Sequence, residues 1–311
     1  MRTHAQMILG GALVFLISTI AWGHVGTEYF YPQVPDPASM VMDGNDDDWD
    51  WLDREEFAIT TDQMFGQHGE ELEREDFNAA FWMAWSAPPD NQFYFYAVVA
   101  DDTLKMLESD QKRWWSDDII QITFDADHSG GDFLGENLDH VFNGQRYHLR
   151  INPGPGQPVA YNSQLEYIDL PEIGWSSDIY NGEPTPWFEV GWTLLPSGAG
   201  HGSTNVTWTM EFRCALWDTY ATTPEESVRH VFEEDQVIHV GPKFNDREPV
   251  ASDEASPFRH NVLVLGAAAA QDQKGDQMLD WIGLGTDEPT AVETSRGGGL
   301  RAICKASWIE V

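Results

Sequence analysis

The chain has 311 residues, of which 41% are hydrophobic and 13% aromatic, enough apolar material for one elaborated domain with a buried core. Its 52 acidic and 17 basic residues leave a formal net charge of −35. That balance argues against nucleic acid and anionic membranes as partners, because both are held by clustered Lys and Arg. Neutral ligands and cations remain, and most of the carboxylates read as a solvated surface.

Residues 1–23 read as a secretory signal peptide. MRTHAQ gives a basic start, residues 7–22 form an apolar run, and Ala21 and Gly23 supply a small-x-small cleavage pattern. The run is short for a membrane span and no second one follows, so the mature chain is expected without a span. Export to the periplasm or the extracellular space is expected, with the mature protein starting near His24. An N-terminal His24 has two readings, an ordinary terminal residue or a copper ligand of the kind used by polysaccharide monooxygenases.

Residues 24–311 show no internal repeat and no long Ser/Gly-rich or Pro-rich linker, and read as one domain. In MDGNDDDWDWL, Asp43-Gly44 suits a tight turn. Trp49 and Trp51, two apart, share a face and read as packing. Segments 53–78 and 153–187 exceed what a minimal sandwich needs; lids over the binding face are one reading and their role stays open, with a short turn over EELEREDF, residues 70–77. In QFYFYAVVADD, Phe93, Phe95, Ala97 and Val99 alternate with Tyr94, Tyr96, Val98 and Ala100, so both faces are apolar and the strand should be central. Ile120, Ile122 and Phe124 alternate with Gln121, Thr123 and Asp125. Tyr147, Leu149 and Ile151 alternate with His148 and Arg150. In NVTWTMEFR, Val206, Trp208, Met210 and Phe212 oppose Thr207, Thr209, Glu211 and Arg213. TTPEESVRHVF predicts one short helix, capped by Thr223 with Pro224 at its first position. Many short strands with turns between them predict an all-β fold, an antiparallel, jelly-roll-like β-sandwich with long loops and one or two short helices.

The stretch WWSDDIIQITFDADHSGGDF, residues 114–133, concentrates the candidate chemistry. Adjacent Trp114 and Trp115 point to opposite faces if extended, so one can fill the core while the other faces a cleft. Asp125, Asp127 and Asp132 in DADHSGGD fit either a Ca²⁺ loop or an acidic hairpin turn with Asx hydrogen bonds. The ten histidines do not fall at metal-ligand spacing. Cys214 and Cys304 are either one disulfide or two buried thiols. No Gly-x-Ser-x-Gly, His-Glu-x-x-His or nucleotide-binding Gly loop is present, and paired carboxylates decide nothing in so acidic a chain.

Several stretches, in order, resemble family 9 carbohydrate-binding modules and the wider DOMON-like sandwiches. They are the Asp-Gly-acid-Trp opening at residues 43–51, NQFYFYAVVADDTL, WWSDDIIQITFDAD, YHLRIN and WTMEFRCALWD. The resemblance spans most of the chain from Val41 onward. It implies that Trp115 stacks on a sugar and that Asp118 and Arg150 line the site. Gln121 stands where the family has a sugar-binding Glu, a departure that puts ligand preference in question. A second stacking tryptophan is expected near the C-terminus, for which Trp281 is the candidate.

Pyranose rings pack their C–H faces on indole and satisfy their hydroxyls with in-plane donors and acceptors, so two aromatics with Arg, Asp and Gln suit that ligand. The expectation is a secreted, non-catalytic carbohydrate-binding protein linked to polysaccharide breakdown or uptake, with Ca²⁺ bracing the loop. One alternative is a DOMON-like redox sandwich holding haem or copper, in which Met210 nonetheless reads as core. Another is a Ca²⁺-stabilised structural or adhesion domain.

Overall fold

Two sheets face each other across a layer of aromatic rings. The computed structural model describes residues 28–67, 73–106, 108, 111–133, 140–151, 160–162, 187–247, 261–265 and 274–286. The five-stranded sheet runs β2 (Ile59–Thr60), β4 (Phe77–Trp85), β5 (Phe93–Thr103), β10 (Thr204–Cys214), β9 (Phe188–Leu195). The eight-stranded sheet runs β1 (Glu28–Pro32), β15 (Leu279–Leu284), β13 (Val237–Asp246), β6 (Ile119–Asp125), β7 (Gly144–Arg150), β8 (Ala160–Asn162). On the β13 edge it also carries β14 (Asn261–Val264), which pairs with β3 (Phe65–Gly66). Within both sheets the pairings are antiparallel except for β1 on β15. The expected all-β sandwich is therefore the observed fold, and no helix among the described residues is long and apolar enough to cross a membrane.

Alternation builds the core. Phe81 of β4 meets Phe244 of β13 at 5.8 Å, and Phe93 of β5 meets Phe124 of β6 edge-on at 4.8 Å. Tyr147 of β7 meets Phe212 of β10 at 4.9 Å. Such offset and edge-to-face geometries add to the area each ring buries. Met210 is fully buried in this layer, as its alternation predicts, and so is Cys214. Cys214 stands as a buried free thiol, one of the two readings the sequence leaves open, and Cys304 lies outside the described residues. Residues 1–23, the expected signal peptide, also lie outside them.

Strand β5 is apolar on both faces because the five-stranded sheet is covered twice. Val34, Met40, Met42, Trp49 and Leu52 pack over Trp82, Ala84, Tyr94 and Tyr96 on its outer face. Trp49 and Trp51 stack at 6.3 Å within that cover. Two glycines permit the approach. A Cβ on Gly44, at φ +85°, would stand 2.4 Å from the Trp192 backbone, and one on Gly191 would stand 2.3 Å from the Met42 carbonyl oxygen.

The cover is pinned by Glu211, which breaks the apolar-in, polar-out pattern of β10 by being buried on the outer side. One of its carboxyl oxygens accepts the Asp43 and Gly44 N–H groups at 2.9 and 2.8 Å, and the other accepts the Trp49 indole N–H at 2.7 Å.

One expectation about an element fails for a tertiary reason. TTPEESVRHVF makes a single turn, with Ser227 N–H bonded to Thr223 O. Val228–Arg229 then form β12 against β11 (Trp217–Thr219), so strand pairing overrides the local capping signal. Among the described residues, the α-helix that forms is α1 (Arg54–Phe57), capped by the Asp53 carboxylate on the Glu55 and Glu56 N–H groups. Within segment 53–78 the described residues supply α1, β2, β3 and the start of β4. Segment 153–187 lies largely outside the described residues, apart from edge strand β8.

Burial pushes the Glu211 carboxyl up to about 8 from an ordinary 4.5. The folded state holds this proton more tightly than the unfolded chain. The resulting stability is complete below pH 4.5 and is lost as pH rises through 8. Glu211→Gln sets its amide N–H₂ against a neighbouring N–H donor. Urea unfolding should show the variant less stable than wild type by about 1–3 kcal/mol at pH 5. The gap should narrow or invert by pH 8, because wild type alone loses on the order of 3 kcal/mol over that span.

Candidate functional site

On the eight-stranded sheet, residues facing away from the core fall into rungs set by register. Arg150, Ile119 and Asn245 form the first rung, and His148, Gln121 and Lys243 the second. Arg146, Thr123 and Gly241 form the third. Asp125, His239 and Asp280 form the fourth, because His239 pairs with Asp125 on one side and Asp280 on the other. Except for Asp280, the polar members are all buried. Such a face is tolerable only if its groups satisfy one another.

Several of them do so directly. Gln121 bonds His148 through its amide nitrogen, while its oxygen accepts the Asn245 amide N–H at 3.0 Å. The Arg150 guanidinium lies 3.9 Å over the Trp114 ring and donates to the Glu108 carbonyl at 2.8 Å. Burial lowers the Arg150 pKa to about 10, with Asp117 and Glu108 opposing the shift.

The acidic pair after the tryptophans is structural. Asp118 is fully buried and takes the Lys105 N–H on one oxygen and the Arg247 N–H on the other, at 2.6 Å for Arg247. Asp117 accepts the Glu108 N–H at 2.8 Å and the Arg247 guanidinium at 3.1 Å. Together they fasten residues 105 and 108 and the end of β13 to the start of β6. Burial, and then the charges of Asp101 and Asp246, push the Asp118 carboxyl well above the usual range.

The structure brings some of the expected sugar-site residues together and separates others. Trp115 is half-buried against Trp114 and Ile119, while Trp114 is the inward member of the pair. Gln121 and Arg150 share the outer face with them. Asp118 is drawn into the loop anchor. Trp281 departs altogether. Along β15, Leu279 and Trp281 point into the core and Asp280 points out. Trp281 is 2% exposed, stacks on Tyr29 at 4.9 Å and donates its indole N–H to Val240 O. It occupies the opposite face of the sheet from Gln121 and Arg150, so it is no partner for Trp115.

The carboxylates of the 125–133 loop also part company. Asp125 accepts the Ser129 and Gly130 N–H groups at 3.2 and 2.8 Å and the His239 Nδ1–H at 2.8 Å. Burial raises the Asp125 pKa, but these bonds outweigh it and hold the group below the usual range. Asp127 accepts from Ser129, and Asp132 faces Lys274 at 3.6 Å. Among the described residues, the convergent group of three or more potential ligands is His128, His239 and Asp280. The sequence reading missed it because strand register, not sequence spacing, assembles it.

No family model matches the chain, and no curated protein matches it. Among solved structures it is similar to a family 9 carbohydrate-binding module from Caldicellulosiruptor kristjanssonii in complex with glucose, at 13% identity and a TM-score of 0.48, over 85% of this chain and 97% of that one. A structure described in the same words but in complex with cellotriose gives 13% identity and a TM-score of 0.49, over 86% and 99%. Residue roles here rest on the side chains themselves.

Asp118→Ala removes the acceptor for two buried backbone N–H groups. Each orphaned donor costs about 1–3 kcal/mol, so the variant should lose about 2–5 kcal/mol in urea unfolding. A loss below about 0.5 kcal/mol, the range of ordinary surface changes, would return Asp118 to the list of ligand residues.

Proposed function

We propose that the chain is a secreted, non-catalytic carbohydrate-binding sandwich that meets its ligand at Trp115. The observation that carries this reading is the half-buried indole of Trp115 beside the buried Trp114–Arg150 stack. Of Trp115, Asp118, Gln121, His148, Arg150 and Lys243, only Trp115 keeps more than a few per cent of its surface open. A rigid, partly open indole backed by a buried cation–π pair is a platform for the C–H face of a pyranose. Gln121, His148, Asn245 and Arg150 on the same face are bonded within the protein and stiffen it.

The ligand class follows from charge. A chain carrying −35 repels anionic glycans at long range, so a neutral saccharide is favoured. In this reading a single indole does the stacking, the apolar N-terminal run directs export, and the bound glycan is one destined for breakdown or uptake.

The test is titration of the mature chain with cellotriose and a panel of neutral oligosaccharides, read by calorimetry and tryptophan fluorescence. Trp115→Ala should weaken binding by at least about tenfold, equivalent to about 1.4 kcal/mol, while the far-ultraviolet circular dichroism stays that of the folded protein. Trp115→Tyr should retain most of the affinity. Absence of binding to every neutral saccharide, or undiminished binding by Trp115→Ala, overturns the reading.

A further inference from the structure

We infer that His128, His239 and Asp280 form a binding site for a divalent first-row transition-metal ion, with Asp125 as its positioning residue. The site is independent of the carbohydrate reading and uses none of its residues.

Its geometry is built by three neighbouring strands and one loop. Asp125, His239 and Asp280 lie on one rung across β6, β13 and β15. His239 Nδ1 donates to the Asp125 carboxylate at 2.8 Å, which fixes the tautomer and turns the Nε2 lone pair toward Asp280. His239 Nε2 and His128 Nε2 each stand 3.1 Å from the same Asp280 oxygen. The candidate ligand atoms all lie within 4.8 Å of one another. Donors placed about 2.0–2.2 Å from a common ion are separated by about that Nε2–oxygen distance, so little movement is needed to admit one.

The loop is held for the purpose. His128 has φ +56°, a left-handed conformation that non-glycine residues seldom adopt. Asp125 ties the loop through Ser129 and Gly130, and Gly275 N–H bonds the Gly131 carbonyl. A Cβ on Gly275 would stand 2.7 Å from Asp125 Oδ2, so the 275 segment closes directly against the positioning carboxylate. The outcome is His128 laid over His239, ring centroids 3.9 Å apart.

The donor set selects the ion. Two imidazoles and one carboxylate suit Zn²⁺, Cu²⁺ and their neighbours, whereas Ca²⁺ takes six to eight oxygens. His239 is 1% exposed, while the His128 and Asp280 side chains keep 27% and 18% of their surface open. A bound ion therefore has solvent on one side, where further coordination positions can be filled.

The experiment uses the untagged, chelator-treated chain, titrated with Zn²⁺ by calorimetry and with Co²⁺ by visible absorption. One equivalent should bind and raise the melting temperature. His128→Ala, a loop change at a partly exposed side chain, should cut Zn²⁺ affinity at least about 100-fold while the metal-free melting temperature stays within about 2 °C of wild type. Asp125→Asn should keep the stoichiometry and the Co²⁺ band positions but weaken binding by about 10–100-fold. No Zn²⁺ or Co²⁺ binding at about 100 μM, corresponding to a Kd weaker than that concentration, overturns the proposal and leaves an ion-paired cluster. Unchanged binding by His128→Ala, or Ca²⁺ binding that excludes Zn²⁺, also overturns it.

Discussion

The register of β13 against its neighbours is the constraint on which this molecule depends. Ile238, Val240 and Phe244 face the core, while His239, Lys243 and Asn245 face the buried polar side. A slip of one residue would exchange the two sets, exposing the core to charge and stranding apolar groups among the rungs. Pro242 sits in the same strand without disrupting it. Its residue falls where the partner on one edge changes from β15, paired through Val240, to β14, paired from Lys243. Its carbonyl turns to that edge and accepts Leu265 N–H, so the N–H that proline lacks would have faced the gap.

A second theme is how so acidic a chain uses its buried carboxylates. Glu211, Asp118 and Asp125 stand on or at the start of strands, and each receives two backbone N–H groups from a loop. Glu211 holds the 43–44 turn, Asp118 holds residues 105 and 247, and Asp125 holds residues 129 and 130. Loops have donors left over from strand pairing, and a strand carboxylate supplies acceptors where no water reaches. Loop geometry is thereby set by the sheets.

The strands were legible in the sequence because alternation is local. The ranges found for β5, β6, β7 and β10 match the runs that alternation marks, and the double-sided apolar pattern of β5 is explained by its second cover. Trp281 was misread because the family resemblance called for a second stacking tryptophan near the C-terminus, whereas the alternation in LDWIGL places it on the inner face with Leu279. Trp115 kept its openness, since its neighbour Trp114 took the buried position. The His128–His239–Asp280 group was illegible for a different reason. Its first and last members are 152 positions apart, and only pairing across β13 brings them together. Glu211 was likewise hidden, because the strand pattern assigns it to solvent and the covering segment lies far upstream.

The cover over the five-stranded sheet has an implication for how the chain is assembled. Its turn at residues 43–44 leaves the ribosome early, yet its landing surface consists of Gly191, Trp192 and Glu211, with 168 positions between Asp43 and Glu211. The earliest-made part of the described domain must wait, its tryptophans unhoused, until two late strands have paired. A chain that stays unfolded until synthesis is finished suffers no penalty from that order, whereas one folding as it emerges would carry an exposed aromatic segment for most of its synthesis.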